Sequence, residues 1–77
     1  MESLGQRLRR LRHFNVLTQA ELAKRAGVSL ITVVRLENDE GESNPRPATV
    51  RRLAEALAVD PSWLLFGEEG ELGKEAA

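Results

Sequence analysis

The 77-residue sequence has no cysteine and a single histidine, His13. Without thiols there is no disulfide framework and no thiolate zinc site. One imidazole builds neither a histidine metal site nor a histidine dyad. Tyrosine is absent and aromatic residues make up only 4% of the chain. No apolar run approaches the roughly 18 residues of a membrane-spanning helix. The opening residues, MESLGQRLRR, lack the apolar stretch of a secretory leader, so a soluble, cytoplasmic protein with no membrane partner is expected. The sequence also offers no Gly-rich phosphate loop, no metal-ligand cluster and no nucleophile beside a base. Ser3, Ser29, Ser43 and Ser62 each have a capping or loop explanation. Neither an enzyme nor a cofactor is expected.

What is present is 42% apolar and 30% charged residues, a globular, helix-leaning composition rather than a disordered one. A chain this short holds one core, worth about 3–5 kcal/mol of net stability, which argues against a cleft plus a separate regulatory domain. The net charge is −1, but it is unevenly spread. Residues 1–38 carry seven Lys/Arg against three Asp/Glu, and residues 39–77 carry four against nine. A binding face needs only local charge, so the split is more informative than the total.

Five short helices and a tail are legible. Ser3 with Gln6 forms a capping box, after which Leu4, Leu8 and Leu11 make one helical stripe ending near His13 or Phe14. Arg7, Arg9, Arg10 and Arg12 are assigned to the remaining faces, and Asn15 is expected to supply a left-handed residue at the end. Thr18 with Glu21 forms a second capping box. Leu22, Ala23 and Ala26 give that helix its apolar side, and Gly27 ends it. Ser29 caps a third helix, with Val33 and Leu36 facing inward. Residues 39–47, DEGESNPRP, read as an irregular loop. Val50, Leu53, Ala54 and Leu57 mark a fourth helix. Asp60 as cap and Pro61 at the first helical position start a fifth, which holds Trp63, Leu64 and Leu65 and stops at Gly67. Residues 1–67 are read as one domain and 68–77, EEGELGKEAA, as an acidic, disordered tail.

Residues 19–38 form the informative unit. Two helices crossing at about 90–120° through a tight turn need positive φ at the corner, and glycine takes it at little cost. Gly27 fits the corner, Ala23 allows close approach and Val28 plugs the angle. Val33 and Leu36 hold the second helix down. Its opposite face carries Leu30, Ile31, Thr32, Val34 and Arg35. Such a pair is compatible with an ordinary helical bundle or with DNA binding. The exposed apolar and β-branched residues mark a surface that meets a partner.

The segment TQAELAKRAGVSLITVVRLEN is similar to the helix-turn-helix of the Cro and phage-repressor class, the XRE family. The similarity extends through LGQRLRRLR upstream and PATVRRLAEALAVDPSWLLFG downstream, covering roughly residues 3–67. The resemblance implies an all-α, compact five-helix, lambda-repressor-like domain whose third helix enters the DNA major groove. By the same resemblance, Ser29, Leu30, Ile31, Thr32 and Arg35 would read bases, with Leu30, Ile31 and the Thr32 methyl meeting thymine methyl groups. Thr18, Gln19 and Asn38 would contact phosphates, with Arg9 and Arg46 as further candidates. Arg12 and Glu37 match a family pair that bridges helices one and three. Three departures stand out. Leu30 and Ile31 occupy positions that are commonly small and polar. Asp39, Glu40 and Glu42 lie in a longer loop where a Gly-Lys turn is common. Val16 replaces the usual glycine before helix two.

The expected function is a transcriptional regulator, most simply a repressor, binding a palindromic operator in double-stranded DNA as a homodimer. The alternative is a protein-interaction module, such as an antitoxin or adaptor, whose protein partner meets the apolar face of helix three. Of the remaining residues, His13 reads as a solvent-facing helix-end residue. Trp63 reads as a core plug, and Arg51, Arg52 and Glu55 as a solvated helix face.

Overall fold

A computed structural model describes residues 2–39 and 45–67. Those residues form five helices: α1 (Leu4–Phe14), α2 (Gln19–Ala26), α3 (Leu30–Glu37), α4 (Pro47–Ala56) and α5 (Pro61–Phe66). The expected tail at 68–77 and most of the acidic loop lie outside the described residues. No described helix is long and apolar enough to cross a membrane.

Helix starts are fixed by local chemistry. At α1 the Ser3 Oγ accepts from the Gln6 N–H at 3.1 Å, while the Gln6 side chain accepts from the Ser3 N–H at 2.9 Å. Thr18 and Glu21 repeat this at α2, at 3.0 and 2.9 Å. Ser29 caps α3 and Asp60 caps α5. Pro47 is the first residue of α4 rather than the last of the preceding loop. Its missing N–H falls where no intrahelical bond is due, and it holds Arg46 in an extended conformation.

Three helix ends share one geometry. The Leu17, Val28 and Val59 N–H groups reach back to the Arg12, Ala23 and Ala54 carbonyls, each at 3.0 Å. The residue before each is left-handed: Val16 at φ 55°, Gly27 at 71° and Ala58 at 57°. This is the Schellman closure, with the residue after the left-handed one turned inward; Leu17 is buried, and Val28 and Val59 pack against the core. The expectation for Asn15 is therefore corrected by one position. Asn15 sits at φ −88°, and its side-chain amide donates to the Leu11 carbonyl at 2.8 Å. With that amide tied back along the helix, the reversal falls to Val16.

A β-branched residue in the left-handed region is strained, and Val16 is 87% exposed, so little packing is lost on removing it. Val16→Gly is expected to raise stability by about 1 kcal/mol, the relief of strain exceeding the entropy that glycine adds to the unfolded chain. That corresponds to a Tm rise of about 4–8 °C in a domain of this size. A thermal melt checks it, and an unchanged or lower Tm contradicts it.

The largest fully buried side chains come one from each helix: Leu8, Leu22, Val33, Leu53 and Leu64. Around them α2 packs on α3 and α4, α1 on α3 and α5, and α4 on α5. Trp63, expected as a core plug, is only partly buried and packs against the edge of this core, and the Arg10 guanidinium lies 5.7 Å from its ring centroid, a cation–π distance. Arg7 departs from its expected polar face. It is buried and donates to the Leu64 and Leu65 carbonyls at 2.8 and 2.9 Å. These are orphan acceptors of the last turn of α5, so Arg7 fastens α5 to α1.

Candidate nucleic-acid interface

α3 is held from behind by a buried carboxylate. Glu37, at the end of α3, has a side chain with no solvent exposure. Arg12 of α1 meets it in a two-pronged bond, Nε to Oε2 at 2.6 Å and Nη2 to Oε1 at 2.9 Å. The third arm of Arg12, Nη1, donates to the Leu17 carbonyl at 2.8 Å. Burial pushes the Glu37 carboxyl pKa up. Hydrogen bonds from Arg12, Gln19 and Arg9, with the Arg12 charge, outweigh that and hold it below its ordinary value of 4.5. The same pair raises the Arg12 pKa, its hydrogen bond to Glu37 outweighing desolvation. The charged state is thus the folded state for both partners.

Glu37 also gathers surface residues. Its Oε1 accepts from Gln19 Nε2 at 3.2 Å and from Arg9 Nε at 3.4 Å. Arg9 Nη2 reaches the Asn38 Oδ1 at 3.4 Å. Of the five residues expected at phosphates, Arg9 and Gln19 therefore meet at one carboxylate where α1, α2 and α3 converge, and Asn38 joins them through Arg9. Thr18 sits beside Gln19 as the exposed N-cap of α2. The capping box leaves the Gln19 and Ala20 N–H groups without an intrahelical acceptor, as at any helix start. Arg46 stands apart and exposed at the N-cap of α4, with no ion pair among the described residues.

The residues expected at bases share the outward side of α3. Ser29, Leu30, Ile31 and Arg35 are exposed and Thr32 is partly so. Leu30 and Ile31 retain 48% and 58% exposure, high for aliphatic residues on a helix whose Val33 is fully buried. Ser29 Oγ accepts from the Thr32 N–H at 3.2 Å and lies 2.8 Å from the Thr32 hydroxyl. Val34 is partly buried, between the two sides.

The turn between α2 and α3 is fastened from a third element. Arg52 Nη1 donates to the Gly27 carbonyl at 3.3 Å, so Arg52 is more than part of a solvated face. Ser3 Oγ donates to Asp39 Oδ2 at 3.1 Å, tying the end of α3 to the start of α1. These two contacts, and the burial of Arg7, were not legible as site-building features. Arg7 alone carried a signal, since it lies three residues after Leu4 and four before Leu11, on their stripe.

A family model described as a helix-turn-helix domain matches residues 3–64. The repressor RghR of Bacillus subtilis is 42% identical over 66 residues, 86% of this chain and 48% of that protein. The chain thus spans about half the length of the relatives it matches. Among solved structures, the P22 c2 repressor in complex with a synthetic operator superposes with a TM-score of 0.78 at 33% identity, over 87% of this chain and 98% of that one. The restriction–modification controller C.AhdI of Aeromonas hydrophila gives 0.73 at 34% identity, over 80% and 91%. The five-helix arrangement, the anchored third helix and the match over residues 3–64 place this chain in the helix-turn-helix family of the Cro and phage-repressor type.

Proposed function

We propose that this chain is a cytoplasmic, DNA-binding transcriptional regulator, most simply a repressor, that holds a palindromic operator as a homodimer. The observation that carries this reading is the division of α3. One side is locked by Val33 and the Glu37–Arg12 pair, and the other presents Leu30, Ile31 and Arg35 to solvent. In this reading α3 enters the major groove. Ser29, Leu30, Ile31, Thr32 and Arg35 meet base edges, and Arg35 reads guanine through O6 and N7. Arg9, Thr18, Gln19, Asn38 and Arg46 meet phosphates, assisted by the free N–H groups of α2. The relatives support it: RghR is a transcriptional repressor and the P22 c2 repressor is seen on an operator. One module buries only about 600–1,000 Å² on DNA. Two copies on half-sites about 34–36 Å apart are therefore expected.

Fluorescence anisotropy against genomic fragments, beginning with the DNA upstream of the gene itself, tests the reading across a salt series. Affinity should fall as salt rises, because phosphate contacts release counterions. Arg35→Ala should cost about 1–3 kcal/mol and relax preference at one base pair. Gln19→Ala should weaken all sequences alike. A flat salt response, or no effect from either variant, would instead favour a protein partner on the Leu30–Ile31 face.

A further inference from the structure

We propose that the first turn of α3 reads C5-methyl groups and is indifferent to the atom at C4, so that 5-methylcytosine is accepted where thymine is. This rests on the DNA-binding reading above. Leu30 and Ile31 are the most prominent side chains of that turn and carry no polar atom. The apolar group that a base pair offers in the major groove is the C5-methyl. Telling thymine O4 from cytosine N4 requires a side chain of fixed donor or acceptor character, such as an amide, a guanidinium or a carboxylate. The first turn has none. Its polar groups are the Ser29 and Thr32 hydroxyls, 2.8 Å apart, which spend one of their two hydrogens on each other. Ser29 Oγ also accepts from the Thr32 N–H. A hydroxyl that remains free donates to O4 or accepts from the N4 amino group equally well. Arg35, the one charged side chain on this face, lies a turn further along and suits a purine.

The consequence is regulatory. At positions facing Leu30 and Ile31 where no side chain reads the partner purine, thymine and 5-methylcytosine become equivalent, while cytosine and uracil each bind more weakly for want of a methyl. Cytosine methylation within a half-site would then strengthen binding about fourfold at each such position.

The test uses a duplex selected for tight, sequence-dependent binding by the full chain. Each thymine is replaced in turn by uracil, by 5-methylcytosine opposite guanine, and by cytosine opposite guanine. At one or two positions per half-site, uracil and cytosine should each weaken binding about fourfold, the worth of one buried methyl. 5-Methylcytosine there should stay within about twofold of thymine, set by the same small energy scale. Ile31→Ser, at an exposed position, should erase the thymine–uracil difference at one of them. Uracil binding as well as thymine throughout, or 5-methylcytosine binding as poorly as cytosine, overturns the proposal alone. Failure to select any preferred duplex overturns the DNA-binding reading and this proposal with it.

Discussion

Replacing Glu37 by alanine is expected to cost about 3–5 kcal/mol, because it strands the Arg12 guanidinium in a buried position with no counter-charge. Arg12 is 9% exposed and its Nε and Nη2 bonds both end on Glu37. Since a domain of this size has about 3–5 kcal/mol in all, the variant should be largely unfolded at ambient temperature. Circular dichroism and urea titration check this, and a wild-type midpoint would refute it. The pH dependence follows from the sign of the shift. The carboxyl pKa is lowered on folding, so its contribution is complete above the unfolded value and is lost as pH falls through the folded one. Stability relative to Glu37→Gln should therefore be constant near neutrality and shrink in acid below pH 4.5. Removing both charges together is a different experiment. An Arg12→Met, Glu37→Leu double variant keeps the volume without stranding an ion and should regain much of the stability. It should not regain full DNA affinity, because Arg9 and Gln19 lose the carboxylate that holds them. Stability and positioning are thereby measured apart.

Helix starts could be read from the sequence because their causes are local. Ser3 with Gln6, Thr18 with Glu21, and Asp60 before Pro61 satisfy backbone groups within a few residues. Gly27 was legible for the same reason, since the corner needs a left-handed residue and glycine supplies it freely. Val16 and Ala58 adopt the same conformation with no such advertisement. What places them there is tertiary: Leu17 and Val59 must turn inward, and the residue before each yields. The outward set on α3 followed from its inward pair, Val33 and Leu36. The Arg12–Glu37 pair came through the family likeness, because no periodicity links residues 25 apart. The gathering of Arg9 and Gln19 at Glu37, with Asn38 held through Arg9, joins three helices and has no signature in any one of them.

Gly5 is the second position where a small change should have a large effect. It is buried in the first turns of α1, a place where helix propensity alone would favour alanine. A methyl group there would land on the Leu36 carbonyl oxygen, 2.6 Å from the Asp39 carboxylate oxygen and 3.1 Å from the Glu37 carbonyl. Two of these three atoms are backbone, so no rotamer change relieves the clash and α1 must move away from α3. Overpacking of this kind costs about 1–3 kcal/mol and occasionally more. Gly5→Ala should fall at the upper end, because relief requires separating two helices. The displacement acts where Arg12 meets Glu37 and where Ser3 meets Asp39, so it also releases the tilt of α3, the helix proposed to read bases. A residue that touches no base should therefore change base preference. Denaturant titration gives the stability loss, and binding to matched and single-mismatch duplexes gives the loss of discrimination. Wild-type stability in Gly5→Ala would mean that the close approach of α1 to α3 does not hold α3 in place.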